Sequence, residues 1–387
     1  MTVQERIEAL RALMVQNGMD AYLIANSDPH QSEYVAEHWK EREWISGFTG
    51  SAGTVVVTRS EAGLWTDGRY YIQAGHQLAG SGITLFRAVD LGVPTIQEWL
   101  RDTLPEGCIG LNGQLFSASF VKELEKEFGP QGLRLKDKDL IGEIWNGRPA
   151  VSENPAILHD IRYAGKSRGE KLEAVRQEMA KKRADYFLLT VLDDIAWLFN
   201  LRGSDIPNNP VVESYALIGK EDVYLFVDGK KLPVAVRSEL EADGVSLRGY
   251  EEVVELVRAL RPGEKVWLDP AKANFRLYSS IDQGAVKLEE ANITTRLKAI
   301  KNEVELENLR RCHIRDGVAM VKFLRWLDTA VGTQEITEIS ADEKLQSFRA
   351  QQDLYLEPSF DTIAGYKDHA ALMHYKALPE TTHSLER

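Results

Sequence analysis

The segment AALMHY at 370–375 holds side chains that could do chemistry. His369 and His374 are five positions apart, beside Asp361 and Asp368. A mononuclear metal site could use these groups, but this spacing does not fit one face of a helix, and on a strand it points the two histidines to opposite faces. We therefore predict no metal ligand in this chain. Donating a hydrogen bond or carrying a proton is a better-suited role for a histidine here, because it needs only one correctly aimed nitrogen.

Arg69 is the second candidate, and it follows the Asp67-Gly68 turn that closes a short apolar strand. The planar guanidinium of arginine suits a carboxylate or a carbonyl, so Arg69 could anchor a substrate. The structural alternative is a basic residue that habitually follows an Asp-Gly turn, since Lys230 follows such a turn in the same way. The residues by themselves favour the structural interpretation and leave both open.

Other motifs predict structure rather than chemistry. The glycine-rich stretch GFTGSAG at 47–53 lacks the G-x-G-x-x-G spacing and precedes an apolar strand at 54–58, which favours a tight loop between strands over a phosphate site. Asp193 and Asp194 are expected at a strand end, where adjacent side chains diverge, so we predict solvated or capping carboxylates rather than an acid–base pair. The sequence contains no GxSxG, HExxH or GxxxxGK[ST] motif.

The elements that must position these residues occur twice. Residues 5–28 and 170–193 align without a gap, and each copy opens with a capping box, TVQE in the first and SRGE in the second. A helical pattern then leads into an apolar strand, and an Asp-Gly turn follows a later strand in both copies. We interpret this as one α/β domain, duplicated over residues 1–155 and 156–298, with a mostly parallel or mixed sheet and the polar linker VSENP at the junction.

The pattern changes in the third region, residues 299–387. A long helical pattern covers 301–330, and the capping-type segment TQEITE at 333–338 is expected to begin a second helix. Residues 356–375 are turn-rich and strand-like.

The composition is that of a soluble globular protein, with 43% hydrophobic and 27% charged residues among 387. A net charge of −12 disfavours nucleic acid and anionic membranes as partners. We find no apolar run that predicts a signal peptide or a membrane span. Cys108 and Cys312 follow no metal-ligand spacing and are expected to be reduced. We therefore predict a cytoplasmic, multidomain protein.

Several strings together resemble one family, the cytosolic three-domain Xaa-Pro aminopeptidases (aminopeptidase P, peptidase family M24B). DPHQSEY, SGFTGSAGT and WTDGRY are similar to the N-terminal domain of these enzymes, and DIAWLFNLRGSDIP to their second domain. KAIKNEVEL, EPSF and MHY are similar to the opening of their catalytic domain. The resemblance implies two creatinase N-terminal-like α/β domains followed by an incomplete pita-bread catalytic domain at 299–387.

The resemblance also implies an activity, namely removal of the N-terminal residue from peptides with proline at position two. A proline imide has no N–H and a restricted φ, so ordinary aminopeptidases bind it poorly. Two divalent metal ions, commonly manganese, can activate a bridging water and polarise the carbonyl. His374 matches the family histidine that contacts the substrate near the scissile bond, a catalytic and substrate-binding role. Arg69 matches an arginine that contacts substrate, reaching an active site across a homodimer.

The family's metal ligands, two Asp, one His and two Glu, match no residue of this chain. The resemblance therefore implies a chain truncated within the catalytic domain, with no catalytic metal bound and no activity by itself. One alternative is a non-catalytic peptide-binding or scaffold protein on the same fold, which the absent ligands favour and the retained Arg69 and His374 oppose. Another is a creatinase-like enzyme acting without metal, which the duplicated N-terminal region opposes.

Overall fold

The computed structural model describes residues 1–386, and the chain folds into two compact units. The scaffold unit comprises residues 1–161 and 166–300. The C-terminal unit comprises residues 162–165 and the chain from residue 301 onward. None of the helices in residues 1–386 is long and apolar enough to cross a membrane.

The first half of the scaffold unit is one α/β domain. Its strands are β1 (Ala21–Ile24), β2 (Thr54–Thr58), β3 (Ala62–Thr66), β4 (Thr84–Arg87), β5 (Gly107–Leu111) and β6 (Leu133–Asp137). Its helices are α1 (Val3–Gln16), α2 (Glu41–Ser46), α3 (Tyr71–Gln77), α4 (Ile96–Thr103), α5 (Ala118–Phe128) and α6 (Ile141–Ile144), with 3-10 turns at Glu37–Trp39 and Gly129–Gln131.

The second half repeats this arrangement. Its strands are β7 (Ile157–Leu158), β8 (Tyr186–Leu189), β9 (Leu201–Arg202), β10 (Ser214–Gly219), β11 (Val223–Val227), β12 (Ser246–Arg248), β13 (Lys265–Leu268) and β14 (Val286–Glu289). Its helices are α8 (Arg168–Lys182), α9 (Leu192–Phe199), α10 (Val234–Ala242), α11 (Glu252–Arg258), α12 (Phe275–Ser280) and α13 (Ile293–Ala299), with a 3-10 turn at Gly229–Lys231. The short helix α7 (Ile161–Ala164) precedes them and, except for Ile161, belongs to the C-terminal unit.

The two sheets have the same topology. The first has the strand order β4-β3-β2-β1-β5-β6 and the second β12-β11-β10-β8-β13-β14. In both sheets a central strand pairs antiparallel with one neighbour and parallel with the other. Strand β1 is antiparallel to β2 and parallel to β5, and β8 is antiparallel to β10 and parallel to β13. The pairing confirms the predicted duplication and the predicted mixed sheet.

Local sequence explains why each copy begins as it does. Thr2 and Ser167 each accept a hydrogen bond from the amide of the glutamate three residues later, whose side chain bonds back, so both predicted capping boxes are confirmed. The strands that follow are apolar throughout, and all four residues of β1 are buried. Such a strand needs cover on both faces, which the flanking helices provide.

The two α/β domains share a buried polar contact inside the scaffold unit. Nδ1 of His30 lies 2.8 Å from the carbonyl oxygen of Thr190, and its Nε2 lies 2.8 Å from the hydroxyl of Tyr250. Nε1 of Trp39 donates to Glu213 at 2.7 Å, across the same boundary. These bonds satisfy polar groups that burial would otherwise leave unpaired.

The C-terminal unit contains two longer helices, α14 (Glu303–Ala330) and α15 (Glu338–Ala350), and a 3-10 helix at Lys367–Ala371. The predicted long helix is confirmed, and a capping box of Asn302 and Glu305 begins it. The predicted start of a second helix within TQEITE is confirmed. Thr337 in this segment caps α15, whereas the Thr333 hydroxyl bonds back to the carbonyl oxygen of Thr329 at 3.1 Å.

The predicted strand-like end is wrong for the part of the chain that the structure describes. Residues 356–375 contain turns and the 3-10 helix, but no strand. The amide of Tyr366 donates to the Glu338 carboxylate at 2.7 Å instead of to a neighbouring strand. Lys367 and His374 have positive φ values of 53° and 51°, which interrupt an extended backbone.

The Asp193–Asp194 pair lies in the first turn of α9 rather than at a strand end. Asp193 is exposed, as predicted, but Asp194 is buried and caps no helix. Its carboxylate accepts hydrogen bonds from the hydroxyls of Thr294 and Thr295 at 2.8 and 2.9 Å. The environment of Asp194 therefore depends on partners that lie about a hundred residues away in the chain.

Candidate functional site

Arg69 lies on the turn that follows β3, and its side chain is 46% exposed. Asp67 binds it at two positions, because Arg69 Nε donates to Oδ1 at 2.8 Å and Nη2 donates to Oδ2 at 2.8 Å. These hydrogen bonds raise the pKa of the Arg69 guanidinium above its ordinary value. Arg69 is therefore a permanently charged group held by a carboxylate at the surface of the first α/β domain.

A packed platform lies behind this turn. Tyr70 is buried, and its hydroxyl lies 2.5 Å from the hydroxyl of Ser51 in the glycine-rich loop. The guanidinium carbon of Arg69 lies 5.2 Å from the centre of the Tyr70 ring. Gly50 permits this packing, since a Cβ there would come within 2.7 Å of Tyr70 Cδ1. The loop at 47–53 is thus a tight connection, from α2 into β2, that supports the Arg69 turn.

Arg42 anchors the same loop from inside the domain. Its Nη2 donates to the carbonyl oxygen of Gly50 and to Oδ1 of Asn26, the latter at 3.1 Å. Burial lowers the pKa of Arg42 to about 10. Within the described residues, Nε and Nη1 of Arg42 have no hydrogen-bond partner. Sequence reasoning missed this residue, because an arginine inside E-R-E-W is typical of the exposed side of a helix.

Glu338, the first residue of α15, is the centre of polar contacts in the C-terminal unit. It is 1% exposed, and its carboxylate accepts hydrogen bonds from the amides of Tyr366 and His383 at 2.7 and 3.0 Å. The Tyr375 hydroxyl donates to it at 2.8 Å, and Nδ1 of His369 lies 3.0 Å from Oε2. Burial by itself raises the pKa of this carboxyl, but the hydrogen bonds outweigh burial and lower the pKa to about 2.

His374 lies beside this cluster in sequence but outside its hydrogen bonds to Glu338. It occupies an exposed turn with a φ of 51°. Asp361 pairs with Lys376 at 3.1 Å, and Asp368 pairs with Nε2 of His383 at 2.9 Å. The structure therefore does not bring the sequence candidates together as one site. It joins His369 to Glu338 and His383, two residues that sequence reasoning did not select and for which no local pattern gave a signal.

Asp368, His369 and His383 each offer a ligand atom within 4.8 Å of the others, the only such trio among residues 1–386. His374 is not part of it. The rings of His369 and His383 stack, with centroids 4.0 Å apart and planes 22° from parallel. Stacked rings direct their in-plane lone pairs side by side rather than toward one ion. Three donors in this arrangement do not fit two metal ions held mainly by carboxylates.

Comparison with known families divides the chain in the same order as the fold. Residues 6–146 and 147–305 match two profiles described as the creatinase/prolidase N-terminal domain. Residues 307–387 match the metallopeptidase family M24. The fold and these matches define a protein with two creatinase-type α/β domains joined to an M24 region.

Named relatives extend the match along nearly the whole chain. Aminopeptidase P2 of Arabidopsis thaliana is 36% identical over 98% of this chain and 58% of its own length. A probable Xaa-Pro aminopeptidase P of Talaromyces marneffei is 40% identical over 96% of this chain and 58% of its own. The X-prolyl aminopeptidase of Caenorhabditis elegans, a cytosolic enzyme with a di-nuclear active site, superposes with a TM-score of 0.92 at 34% identity, over 98% of this chain and 65% of its own.

The chain therefore carries two creatinase/prolidase N-terminal domains followed by a region of the metallopeptidase family M24, and along nearly its whole length it is similar to proteins named Xaa-Pro aminopeptidases. It spans about three fifths of the length of the relatives it matches, 58% to 65%.

Proposed function

We propose that this protein acts as an Xaa-Pro aminopeptidase, which hydrolyses the bond between an N-terminal residue and a penultimate proline. The supporting observation is the similarity along the chain, with a TM-score of 0.92 to an X-prolyl aminopeptidase. Local likeness of one α/β domain would not carry the proposal, because one fold serves many functions. Here both α/β domains and the region that follows align in the same order.

Arg69 and His374 are the residues proposed to contact substrate. Arg69 offers an exposed cation on a rigid turn, suited to a peptide carboxylate or carbonyl, in an active site reached across a homodimer. His374 offers an exposed imidazole beside Tyr375, suited to a hydrogen bond near the scissile bond. The two residues lie in different units, and each role rests on the residue's own surroundings.

The remaining parts of the proposal concern cofactor, partners and location. In a complete M24 region, two divalent ions, with manganese as the expected metal, would supply an activated water and a polarised scissile carbonyl, and the donors among residues 1–386 do not fit them. We propose a cytoplasmic homodimer that acts on peptides with proline at position two and binds neither nucleic acid nor membranes, with the domain division at residues 155 and 298 predicted above. We propose that the 387 residues by themselves are inactive, because none of them matches the metal ligands that the family resemblance implies.

The test compares the 387-residue chain with a longer protein that contains a complete M24 region. Both are stripped of metal, reloaded with manganese, and given a tripeptide with proline at position two. The matched control peptide has alanine at that position. Release of the first residue by the longer protein, from the proline peptide only, is expected.

Each other result has a defined meaning. Release by the 387-residue chain would contradict its proposed inactivity. A longer protein that binds the proline peptide without cleaving it would support the non-catalytic peptide-binding alternative and overturn the enzymatic proposal.

A further inference from the structure

The duplicated scaffold contains the same Asp-Gly turn twice, and comparing the copies separates two roles of the aspartate. In the first copy, Oδ1 of Asp67 accepts the main-chain N–H of Arg69 at 3.1 Å. In the second, Oδ1 of Asp228 accepts the main-chain N–H of Lys230 at 3.0 Å. This bond closes the turn in both copies, so the turn alone explains an aspartate at either position.

The side-chain contact differs between the copies. Asp67 binds the Arg69 side chain through both carboxylate oxygens, at 2.8 Å each. The ammonium group of Lys230 instead pairs with Glu153, a residue outside the turn. An Asp-Gly turn therefore does not by itself hold the basic side chain that follows it, and the bidentate contact, which needs two nitrogens of an arginine, belongs to the first copy.

Stability does not explain the contact either. The Arg69 and Asp67 side chains are 46% and 32% exposed, and an ion pair this exposed adds little to the stability of a fold. Its clear physical effect is on freedom of rotation. A bidentate carboxylate fixes the planar guanidinium, and the neighbouring Tyr70 ring is itself fixed by Ser51.

We propose that Asp67 is a positioning residue that holds the guanidinium of Arg69 ready to receive a peptide substrate. This inference rests on the proposed function, in which Arg69 contacts substrate. A fixed guanidinium loses less rotational freedom when substrate binds, so the pair increases affinity without touching the reacting atoms.

The same contact has an opposite interpretation that experiment can separate. If Asp67 competed with substrate for the guanidinium, removing its charge would tighten substrate binding. If Asp67 positions Arg69, removing its charge weakens binding. Asp67→Asn is the decisive change, because asparagine keeps Oδ1 for the turn and loses the charge that holds the side chain.

The first measurement is the KM for a proline tripeptide, in the full-length protein with a complete M24 region and manganese. Asp67→Asn is expected to raise KM about tenfold with kcat nearly unchanged. This pattern is expected because the lost interaction stabilises the bound substrate and the transition state equally. Asp228→Asn, the matched change in the second copy, leaves KM unchanged. In an Arg69→Ala background, Asp67→Asn has no further effect, whereas a purely structural role would lower activity in both backgrounds.

The outcomes distinguish the two proposals. If Arg69→Ala raises KM but Asp67→Asn leaves it unchanged or lowers it, the positioning role is overturned and the Arg69 contact stands. If Arg69→Ala leaves KM unchanged, the proposed substrate contact fails and the positioning role fails with it.

A second measurement on the 387-residue chain does not depend on activity. Phenylglyoxal modifies accessible arginines, and peptide mass mapping reports the rate at Arg69. Asp67→Asn is expected to accelerate this modification several-fold, and Asp228→Asn to leave it unchanged. Equal rates in wild type and Asp67→Asn would overturn the proposal, with circular dichroism confirming that both variants are folded.

Discussion

Nε2 of His30 and the hydroxyl of Tyr250 lie 2.8 Å apart, although 220 residues separate them in the chain. His30 is 1% exposed, and its other ring nitrogen lies 2.8 Å from the carbonyl oxygen of Thr190. Both ring nitrogens are thus engaged by the second α/β domain. Burial lowers the pKa of His30 from 6.5 to about 4, so the histidine is neutral where it joins the domains.

The neutral His30 makes the stability of the scaffold unit depend on pH. Because its folded pKa of about 4 lies below 6.5, the unfolded chain binds more protons between these values, and stability falls as pH falls through that window. We expect His30 to contribute about 2–3 kcal/mol to a loss between about pH 7.5 and about pH 4.5. Urea unfolding at both pH values measures it.

The variant His30→Gln should show a smaller difference between the two pH values, even if it is less stable at both. His76→Gln, at an exposed position on α3, is the control and should keep the wild-type difference. An unchanged pH difference in His30→Gln would show that other groups account for the acid sensitivity.

Lys231 is expected to be far more important for stability than its neighbour Lys230. Its Nζ is buried, 2.7 Å from Oδ2 of Asp205 and 3.7 Å from Oε2 of Glu213. Lys231→Met leaves two buried carboxylates without their cation, which should cost about 3–5 kcal/mol. Lys230→Met removes an exposed ion pair and should change stability by less than about 0.5 kcal/mol. Similar urea midpoints for the two variants would contradict this difference.

Two glycines near Arg69 should respond in opposite directions to alanine. A Cβ at Gly50 would meet Tyr70 at 2.7 Å, so Gly50→Ala should destabilise the scaffold unit by about 1–3 kcal/mol. A Cβ at Gly75, inside helix α3, meets nothing within 4 Å, so Gly75→Ala should stabilise it by about 0.5–1 kcal/mol. Thermal unfolding of both variants tests the pair, and a neutral Gly50→Ala would argue against the packed platform.

Glu338 should make the C-terminal unit sensitive to acid at lower pH than His30 does. Its folded pKa of about 2 lies below the ordinary 4.5, so its contribution is present above about pH 4.5 and is lost as pH falls toward 2. The loss should approach about 2 kcal/mol, measured by hydrogen exchange in α15 at about pH 5 and about pH 3. At pH 5 the amides of α15 should exchange faster in Glu338→Gln than in wild type, and the opening free energy obtained from exchange should depend much less on pH. Glu343→Gln, at an exposed position, should match wild type.

Local patterns predicted those parts of the fold that nearby residues control. Both capping boxes formed where the sequence placed them, because each joins side chain and amide three residues apart. Both Asp-Gly turns followed a strand, since glycine turns and apolar strands are decided within a few residues. The segment TQEITE began a helix for the same reason, because Thr337 within it accepts a hydrogen bond from the amide of Ser340, three residues away.

The sequence by itself determined the duplicated α/β scaffold, the Asp-Gly turn that carries Arg69, and the resemblance to the Xaa-Pro aminopeptidases. Only the tertiary structure determines which distant polar groups are hydrogen-bonded to each other, such as His30 with Tyr250 and Glu338 with His383. It also determines that Asp67 binds the Arg69 side chain, whereas Lys230 pairs with Glu153 and not with Asp228. The physical reason is distance along the chain. Helix, strand and turn signals act over a few residues. Burial and long-range hydrogen bonds depend on packing between distant segments, which cannot be read from the spacing of neighbouring residues.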